Sequence, residues 1–309
     1  MTFSFDTAAA QGAVIKVIGV GGGGGNAVNH MYREGIHDVT FVLCNTDAQA
    51  LNDSPVPVHL QLGKEGLGAG NRPERARQAA EETSEDIKRM LNDGTKMAFI
   101  TAGMGGGTGT GAAPVIGKIA MEAGLLTIGI VTIPFLFEGT AKILQALEGV
   151  KQMRESVDAL LVINNQRLIE VYKNFTVSEA FAKADDTLSN AARGISELVN
   201  IAGEVNLDFA DVDTVLRGGG VAVINTGYAE GEDRMTLAIQ EALNSPLLNN
   251  NNISKARQLL INVYYDDKAP LTVDEFSQIH EFTSEFSDEV NTIHGISHKE
   301  GLGTKLGVT

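Results

Sequence analysis

Two glycine-rich segments constrain the fold of this chain more than any other feature. Gly19–Asn26 overlaps the end of the apolar run Val14–Val20, and Gly103–Gly111 follows a second apolar run, 96–101. Each segment leads into a helical pattern, and the backbone N–H groups at the start of a helix can bind a phosphate. The second segment holds six glycines in nine residues, an entropy cost that indicates a function. Two such turns from one sheet predict a polyphosphate ligand.

The first half of the chain alternates short β-branched runs with longer helical patterns. The strand candidates are Val14–Val20, Val39–Leu43, Lys96–Thr101, Thr127–Ile133 and Ala159–Ile163. Their nearly continuous apolar character favours a buried parallel sheet. Segments such as 75–91 and 139–157 are typical of crossover helices. We therefore predict a doubly wound α/β domain over residues 12–175.

A long amphipathic helix is predicted next, within residues 176–205. Apolar residues from Phe181 to Ala202 recur there at alternating spacings of three and four. Thr176 and Glu179 occupy capping-box positions at its start. The remaining residues, 206–309, predict a smaller α+β domain. Its strand candidates are 221–225, 259–265 and 290–296, its helix candidates are 234–243 and 273–287, and the asparagine run 249–252 predicts an exposed turn.

Composition and charge exclude several classes of protein. A net charge of −15 disfavours nucleic acid as a partner, because non-specific binding to phosphates depends on Lys and Arg. A single cysteine, Cys44, cannot form an internal disulfide and suits a reducing compartment. The N-terminus lacks the pattern of a secretory signal, and the longest apolar stretch, 123–137, is shorter than the roughly 20 residues of a spanning helix. We therefore expect a cytoplasmic protein without direct membrane binding.

The glycine patterns alone leave other nucleotide-binding proteins open. Gly19, Gly21 and Gly24 form a G-x-G-x-x-G pattern that suits a dinucleotide site. That fingerprint requires an acidic residue about 20 positions later, but Asp47 lies farther along and Glu34 falls in the first predicted helix. A P-loop enzyme would need Gly-Lys-Ser/Thr, which is absent. The six histidines show no zinc spacing, so we expect no metal held by protein side chains.

The second glycine segment carries a specific resemblance. Its stretch Gly106–Gly111, with the sequence GGTGTG, resembles the signature of the tubulin/FtsZ superfamily, and residues 21–26 resemble the first phosphate loop of that family. The resemblance extends over nearly the whole chain and is closer to FtsZ than to eukaryotic tubulin. Further matching stretches are Asn45–Asp47, Gly66–Gly70, Phe137–Gly139, Asn206–Asp211 and Gly231–Arg234.

The resemblance implies a GTP-binding and GTP-hydrolysing protein and assigns residues to the nucleotide. The α- and β-phosphates are expected on Gly22, Gly23, Gly24, Gly25, Asn26, Gly107, Thr108 and Gly109, and the γ-phosphate near Ala69 and Gly70. Glu138 is expected to hold the ribose, Lys142 to reach the phosphates, and Asn165 to belong to the site. Lys142 stands where the family usually has arginine, which keeps the charge but loses bidentate geometry. Mg²⁺ is expected to bind through the phosphates.

Base recognition is assigned to the long helix. Phe181 and Asp185 are four residues apart and so lie on one face. A ring can stack on a base, and a carboxylate can accept two protons from guanine but leaves an unpaired charge against adenine. The family has its aromatic and base-reading residues at these positions. From the pattern alone, Phe181 as a core residue and Asp185 as a surface residue stay the alternative.

The candidate catalytic residues are Asn206, Asp208 and Asp211. Hydrolysis needs a group that positions water in line with the γ-phosphate, which a carboxylate can do. The predicted long helix carries the chain about 30 Å away from the base before this segment begins, so the segment cannot easily serve its own nucleotide. Read without the family, the pattern predicts a helix-capping turn with Asp208 near the N-cap.

In the family this segment completes the nucleotide site of the next subunit, which implies head-to-tail filaments in the bacterial cytokinetic ring at the division site. An oxidoreductase that uses NAD and a nucleotide-binding subunit that does not hydrolyse are the alternatives. The family normally continues into a tail that binds division proteins, and that tail is absent from this sequence.

Overall fold

The structure is a computed structural model that describes residues 14–36, 38–172, 174–201, 203–243, 256–284 and 290–309. Its first half contains β1 (Ile15–Val20), α1 (Gly21–Arg33), β2 (Val39–Asn45), α2 (Ala48–Asn52), β3 (His59–Gln61), α3 (Pro73–Glu82), α4 (Ser84–Leu91), β4 (Met97–Gly103), α5 (Thr108–Glu122), β5 (Leu126–Ile133), α6 (Thr140–Arg154), β6 (Ala159–Asn164) and α7 (Asn165–Val171).

The second half begins with the long helix α8 (Val177–Asn200) and continues through β7 (Gly203–Val205), α9 (Phe209–Leu216), β8 (Gly220–Val221), β9 (Gly227–Ala229), α10 (Arg234–Leu243), β10 (Gln258–Tyr265), α11 (Val273–Thr283), β11 (Asn291–His298) and β12 (Leu306–Val308). The predicted asparagine turn at 249–252, the apolar position Ala202 and the end of the predicted helix 273–287 lie outside the described residues.

A seven-stranded sheet organises the first half in the order β3-β2-β1-β4-β5-β6-β8. Every neighbouring pair is parallel, with Ile15 opposite both Val39 and Met97. One face packs on α3 to α6 through residues such as Ala76 and Ala113, and the other packs on α1 and α8 through residues such as Val28 and Leu188. Helices thus cover both faces, which confirms the predicted doubly wound α/β fold.

A smaller mixed sheet has the order β7-β11-β10-β12-β9. β10 and β11 are parallel, and the other pairs are antiparallel. Its core joins Met235 and Ala238 of α10 to Val263 of β10 and Leu306 of β12. This sheet, with α10 and α11, confirms the prediction of a smaller α+β unit.

Two sequence predictions were wrong in detail. The strand predicted at 221–225 is only Gly220–Val221, and it pairs with β6 in the large sheet. The helix predicted at 75–91 is two helices, because Thr83 interrupts it. The Thr83 hydroxyl donates to the carbonyl of Ala79 and accepts the N–H of Gly63, so its side chain competes with regular helical bonding.

The helix α8 follows its prediction closely. The Thr176 hydroxyl accepts the N–H of Glu179, and the Glu179 carboxylate accepts the N–H of Thr176 at 2.7 Å. This is the predicted capping box. No helix in the part of the chain that the structure describes is long and apolar enough to span a membrane.

Candidate functional site

Five strands of the large sheet end at one edge of the molecule, and most predicted site residues collect there. β1, β2, β4, β5 and β6 end at Val20, Asn45, Gly103, Ile133 and Asn164. Because the strands are parallel, their carboxyl ends share an edge, and open α/β sheets bind ligands in the crevice there. We refer to this side as the carboxyl edge.

The first glycine segment forms the opening turns of α1 itself. Gly21 has φ of +72° and begins the helix. A Cβ added at Gly24 would overlap the carbonyl oxygen of Thr101 on β4, whereas a Cβ at Gly22 or Gly25 would meet no atom within 4 Å. The inner side of the turn is therefore packed on the sheet, and its outer side is open. The first N–H groups of a helix have no intrahelical acceptor, so this opening can accommodate an anion.

The second glycine segment meets the first. A Cβ at Gly21 would lie 2.8 Å from the backbone nitrogen of Gly109 and 3.0 Å from the Cβ of Thr108. α5 begins at Thr108, so two helix N-termini converge at one point, where both macrodipoles favour negative charge. The hydroxyl of Thr108 lies 2.8 Å from that of Thr46, just beyond β2.

The segment 66–72 covers the second glycine turn from one side. A Cβ at Gly107 would lie 2.8 Å from the Cβ of Ala69 and 2.9 Å from the backbone nitrogen of Arg72. Gly70 is exposed and has φ of +58°. Ala69 thus lies against the second glycine turn with Gly70 directly after it, where the third phosphate is expected.

Glu138 and Lys142 lie on the other side of the turn. Glu138 accepts the N–H of Phe135 through Oε1, and its Oε2 lies 3.3 Å from the Lys142 ammonium. The backbone of Lys142 approaches the second glycine turn, because a Cβ at Gly105 would lie 2.8 Å from its carbonyl oxygen. The Lys142 side chain therefore pairs in this structure with Glu138, which lies just before the start of α6.

Phe181 belongs to an aromatic cluster at the carboxyl edge. Its ring packs edge-on against Phe135 at 5.2 Å and Phe137 at 6.2 Å, and the latter two rings stack at 4.9 Å. Phe135 is fully buried, while Phe181 is 41% exposed. Phe181 is thus not a core residue, and the aromatic surface is open to a ligand.

Asp185 lies one turn after Phe181 and is half-buried. Burial raises the pKa of its carboxyl to about 6, against an ordinary value of 3.8; the nearby Asp186 also raises it, and His30 of α1 lowers it. The imidazole Nε2 of His30 lies 2.9 Å from Asp186. A carboxylate with an elevated pKa beside a cleft is a frequent feature of functional sites.

Asn165 follows β6 at the same edge and is 5% exposed. Among the described residues, its Oδ1 has no hydrogen-bond partner. A buried polar atom without a partner costs free energy, and a polar ligand would remove that cost. Residues able to hold a phosphate chain, a sugar and a base therefore lie along one edge, which fits a nucleoside polyphosphate.

Asn206, Asp208 and Asp211 form a local capping structure. Asp208 Oδ1 accepts the N–H groups of Ala210 and Asp211, and Asp211 Oδ2 accepts the N–H of Asp208 at 2.9 Å. The Asn206 Oδ1 accepts the N–H of Gly203 at 2.6 Å. The capping turn predicted from the pattern alone is thus the observed local structure.

This segment leads toward the opposite, amino edge of the large sheet. After α9, two N–H groups donate to Asp158. The N–H of Gly218 donates to the side chain of Asp158, and the N–H of Gly220 donates to the backbone carbonyl of Asp158. Asp158 directly precedes β6. β6 has six residues, so its two ends are about 20 Å apart. The structure does not bring Asp208 and Asp211 together with the glycine turns of the same chain.

Sequence reasoning missed Gln145 at the site and assigned no role to Phe137 or Thr46, although both lie in stretches that match the family. Gln145 lies three residues after Lys142 on the same helical face and contacts the second glycine turn. No motif marks it, so only the approach of α6 to the turn identifies it. No group of acidic, His or Cys residues in the described ranges could hold a metal.

A second concave surface, in the smaller unit, is lined by residues such as Glu232, Asp274 and Gln278. Its buried Arg234 is bonded to Glu275 and to the carbonyls of Ala269, Pro270 and Thr304. Because these neighbours occupy the guanidinium, it does not offer the anion site found at the carboxyl edge.

Comparison with protein families gives two matches. Residues 14–173 match the model of the Tubulin/FtsZ family, GTPase domain, and residues 220–309 match that of the FtsZ family, C-terminal domain. The cell division protein FtsZ of Porphyromonas gingivalis is 60% identical over 300 residues, which cover 96% of this chain and 66% of that protein. The chain spans about two thirds of the length of that relative.

The cell division protein FtsZ of Pseudomonas aeruginosa is 47% identical over 288 residues, which cover 92% of this chain and 72% of that protein. An FtsZ dimer of M. jannaschii has a TM-score of 0.86 and 38% identity, covering 95% of this chain and 86% of that one. Family models, relatives and fold agree, and the chain belongs to the tubulin/FtsZ family of GTPases.

Proposed function

We propose that this chain is a bacterial cell-division GTPase that hydrolyses GTP between adjacent subunits of a head-to-tail filament. One observation carries the proposal: the glycine turns lie at the carboxyl edge of the large sheet, while the chain from Asp208 runs to its amino edge. A site with its binding half and its catalytic half on different sides is completed only by a second copy. Such a heterologous contact repeats without closing.

The proposal divides the chain into a GTP-binding domain at 12–175, a central helix at 176–205 and an activating domain at 206–309. The two helix N-termini at Gly22–Asn26 and Gly107–Gly109 hold the α- and β-phosphates. Ala69 and Gly70 face the γ-phosphate, and Mg²⁺ binds through the phosphates, where it neutralises charge that develops during transfer.

Guanine lies against the Phe137 and Phe181 rings in this proposal. Asp185 accepts hydrogen bonds from the N–H donors on the edge of guanine, and the buried Oδ1 of Asn165 accepts a hydrogen bond from a polar group of the ligand. Glu138 holds the ribose, and Lys142 exchanges its bond to Glu138 for the phosphates. The Asp185 carboxylate excludes adenine, because adenine would place a hydrogen-bond acceptor against it where guanine places donors.

Asp208 and Asp211 of one subunit act at the nucleotide of the next. The capping box engages one oxygen of each carboxylate, which fixes both groups in orientation and leaves the second oxygen to position a water in line with the γ-phosphate. Asn206 holds the turn through the N–H of Gly203. Such preorganisation avoids an entropic cost during the reaction.

The relatives named above are cell division proteins, which supports a filament at the division site in the cytoplasm. The net charge of −15 disfavours nucleic acid as a partner, because binding to its phosphates depends on Lys and Arg.

A dilution series tests the proposal. Phosphate release from GTP, divided by protein concentration, is expected to be near zero at low concentration and to rise steeply above a critical concentration, because each active site needs two chains. Specific activity that stays constant over the whole series would contradict the proposal. Each concentration is measured with Mg²⁺ and with a crowding agent, so that weak assembly is not mistaken for a one-chain site.

A further inference from the structure

The side chain of Gln145 on α6 reaches two consecutive carbonyl groups of the second glycine turn. Its Nε2 lies 3.1 Å from the carbonyl oxygen of Gly105 and 2.9 Å from that of Gly106. Among the two ends of the side-chain amide, only the nitrogen can donate to carbonyl oxygens. Both contacts therefore fix the amide in one orientation.

The close approach of α6 makes these contacts possible. Gly149 lies four residues after Gln145 and so on the same helical face. A Cβ at Gly149 would lie 2.6 Å from the Thr110 side chain and 3.1 Å from the sulfur of Met104. A larger residue at Gly149 would hold α6 away from the turn, beyond the reach of Gln145.

The two bonds determine where the N–H groups of the turn point. In a planar trans peptide, the carbonyl of one residue and the N–H of the next point in opposite directions. Since the carbonyls of Gly105 and Gly106 point at α6, the N–H groups of Gly106 and Gly107 point away from it. Two consecutive N–H groups that point the same way form a concave anion-binding nest.

Other bonds hold the rest of the turn. The N–H of Met104 donates to the carbonyl of Thr132 at 3.0 Å, and the N–H of Gly105 donates to the buried hydroxyl of Thr110 at 2.9 Å. These bonds anchor the start of the turn to β5 and α5. Gln145 supplies the contact to its two central carbonyls.

We propose that Gln145 is a positioning residue that orients the N–H groups of Gly106 and Gly107 toward the phosphates of the bound nucleotide. The proposal rests on the proposed nucleotide site at the carboxyl edge. Gln145 acts through the backbone and does not touch the ligand. Loss of the Gln145 side chain leaves the fold intact and lets these two peptides rotate. Nucleotide binding then costs more free energy, because the peptides must be ordered first.

Three variants test this role. Gln145→Met keeps the length and removes the donor, Gln145→Glu keeps the shape and places an anion against two carbonyls, and Gln145→Lys restores a donor. Gln152→Met is the matched control, because Gln152 is an exposed glutamine of the same helix whose side chain bonds only to Glu148 in the described contacts. The dissociation constants of GDP and GTP are measured by competition with a fluorescent guanine nucleotide, and the melting temperature is measured without nucleotide.

We expect Gln145→Met to weaken both GDP and GTP about tenfold, which corresponds to the loss of roughly 1.4 kcal/mol. Gln145→Glu weakens both further, Gln145→Lys recovers part of the affinity, and Gln152→Met binds as the unaltered chain does. The melting temperatures without nucleotide stay equal. Unchanged affinity of Gln145→Met, or a loss of affinity matched by a lower melting temperature, would overturn the positioning role. If the unaltered chain itself binds no guanine nucleotide, the proposed function fails instead.

Discussion

At the scale of single residues, the site shows a conflict between stability and binding at Asp185. The half-buried carboxyl lacks a fully compensating cation, and its pKa is raised to about 6. The folded chain therefore binds the proton on Asp185 more tightly than the unfolded chain, in which the pKa of this carboxyl is near 3.8. The free energy of unfolding falls as pH rises from about 4 through 6, and the cost is complete above that window.

Replacing Asp185 with asparagine removes this cost. We expect Asp185→Asn to raise the free energy of unfolding of the nucleotide-free protein by about 1–2 kcal/mol at pH 7.5 and to leave it unchanged near pH 4. The same variant binds GTP roughly tenfold more weakly, because a charge-assisted bond to guanine is lost. Denaturant unfolding at both pH values and nucleotide titration measure the two effects.

Asp186→Asn is the matched control, because this neighbouring carboxylate contacts His30 at 2.9 Å and Lys183 at 3.7 Å, and the loss of these contacts offsets the relief of its repulsion on Asp185. If Asp185→Asn shows the same stability as the unaltered chain at pH 7.5 and the same preference for GTP over ATP, Asp185 neither bears a desolvation cost nor reads the base.

At the scale of elements, the start of α1 tests how tightly the first glycine turn packs on the sheet. Gly24 and Gly25 are adjacent in one helix, but only a Cβ at Gly24 would overlap the carbonyl of Thr101. We expect Gly24→Ala to lower the free energy of unfolding by about 1–3 kcal/mol. Gly25→Ala is expected to leave it unchanged or to raise it by up to about 1 kcal/mol, as alanine is favoured in helices.

Urea unfolding of both variants without nucleotide measures the difference. Equal stability of the two variants would mean that the first glycine turn is not packed tightly against β4, which would contradict the packing described here.

The elements that the sequence predicted share one property: each is long enough to show a continuous apolar run or a repeating apolar stripe. The five central strands and α8 are continuous apolar runs or apolar stripes, and their positions agree with the structure to within a few residues. β3, β7 and β9 have three residues each, too few to show alternation. The pairing of β8 with β6 depends on tertiary contacts that no local pattern records.

The site divides in the same way. Glycine turns at a helix start have a physical signature, so Gly22 to Asn26 and Gly107 to Gly109 could be named from the sequence. The contact of Gln145 with the turn and the edge-on contacts of Phe181 with Phe135 and Phe137 depend on how α6 and α8 pack at the carboxyl edge. A pattern of residues alone does not contain that geometry.

At the scale of the whole molecule, the separation of the two halves of the site is the central feature. α8 has 24 residues and therefore carries the chain about 36 Å, from the aromatic cluster toward the turn that holds Asp208. The capping box then fixes the orientation of both carboxylates, which in the proposed function act on a second molecule. We expect that neither half of the proposed site works within one chain.

Two variants separate the halves. Asp211→Ala removes a carboxylate that we propose to be catalytic and keeps the glycine turns. Gly22→Asp places an anion in the phosphate site without a clash, because a Cβ there meets no atom within 4 Å, and an acidic residue is favourable in the first turn of a helix. The first binds GTP without hydrolysing it, and the second folds but binds no GTP.

The most direct measurement is phosphate release from GTP by an equal mixture of Asp211→Ala and Gly22→Asp, compared with each variant alone at the same total concentration. A shared site predicts that each variant alone is inactive, while the mixture recovers a substantial part of the unaltered rate, up to about one quarter for random neighbours. In the mixture, a GTP-loaded pocket of one variant meets the intact carboxylates of the other. A mixture that co-sediments as one filament and still releases no phosphate would contradict the shared site.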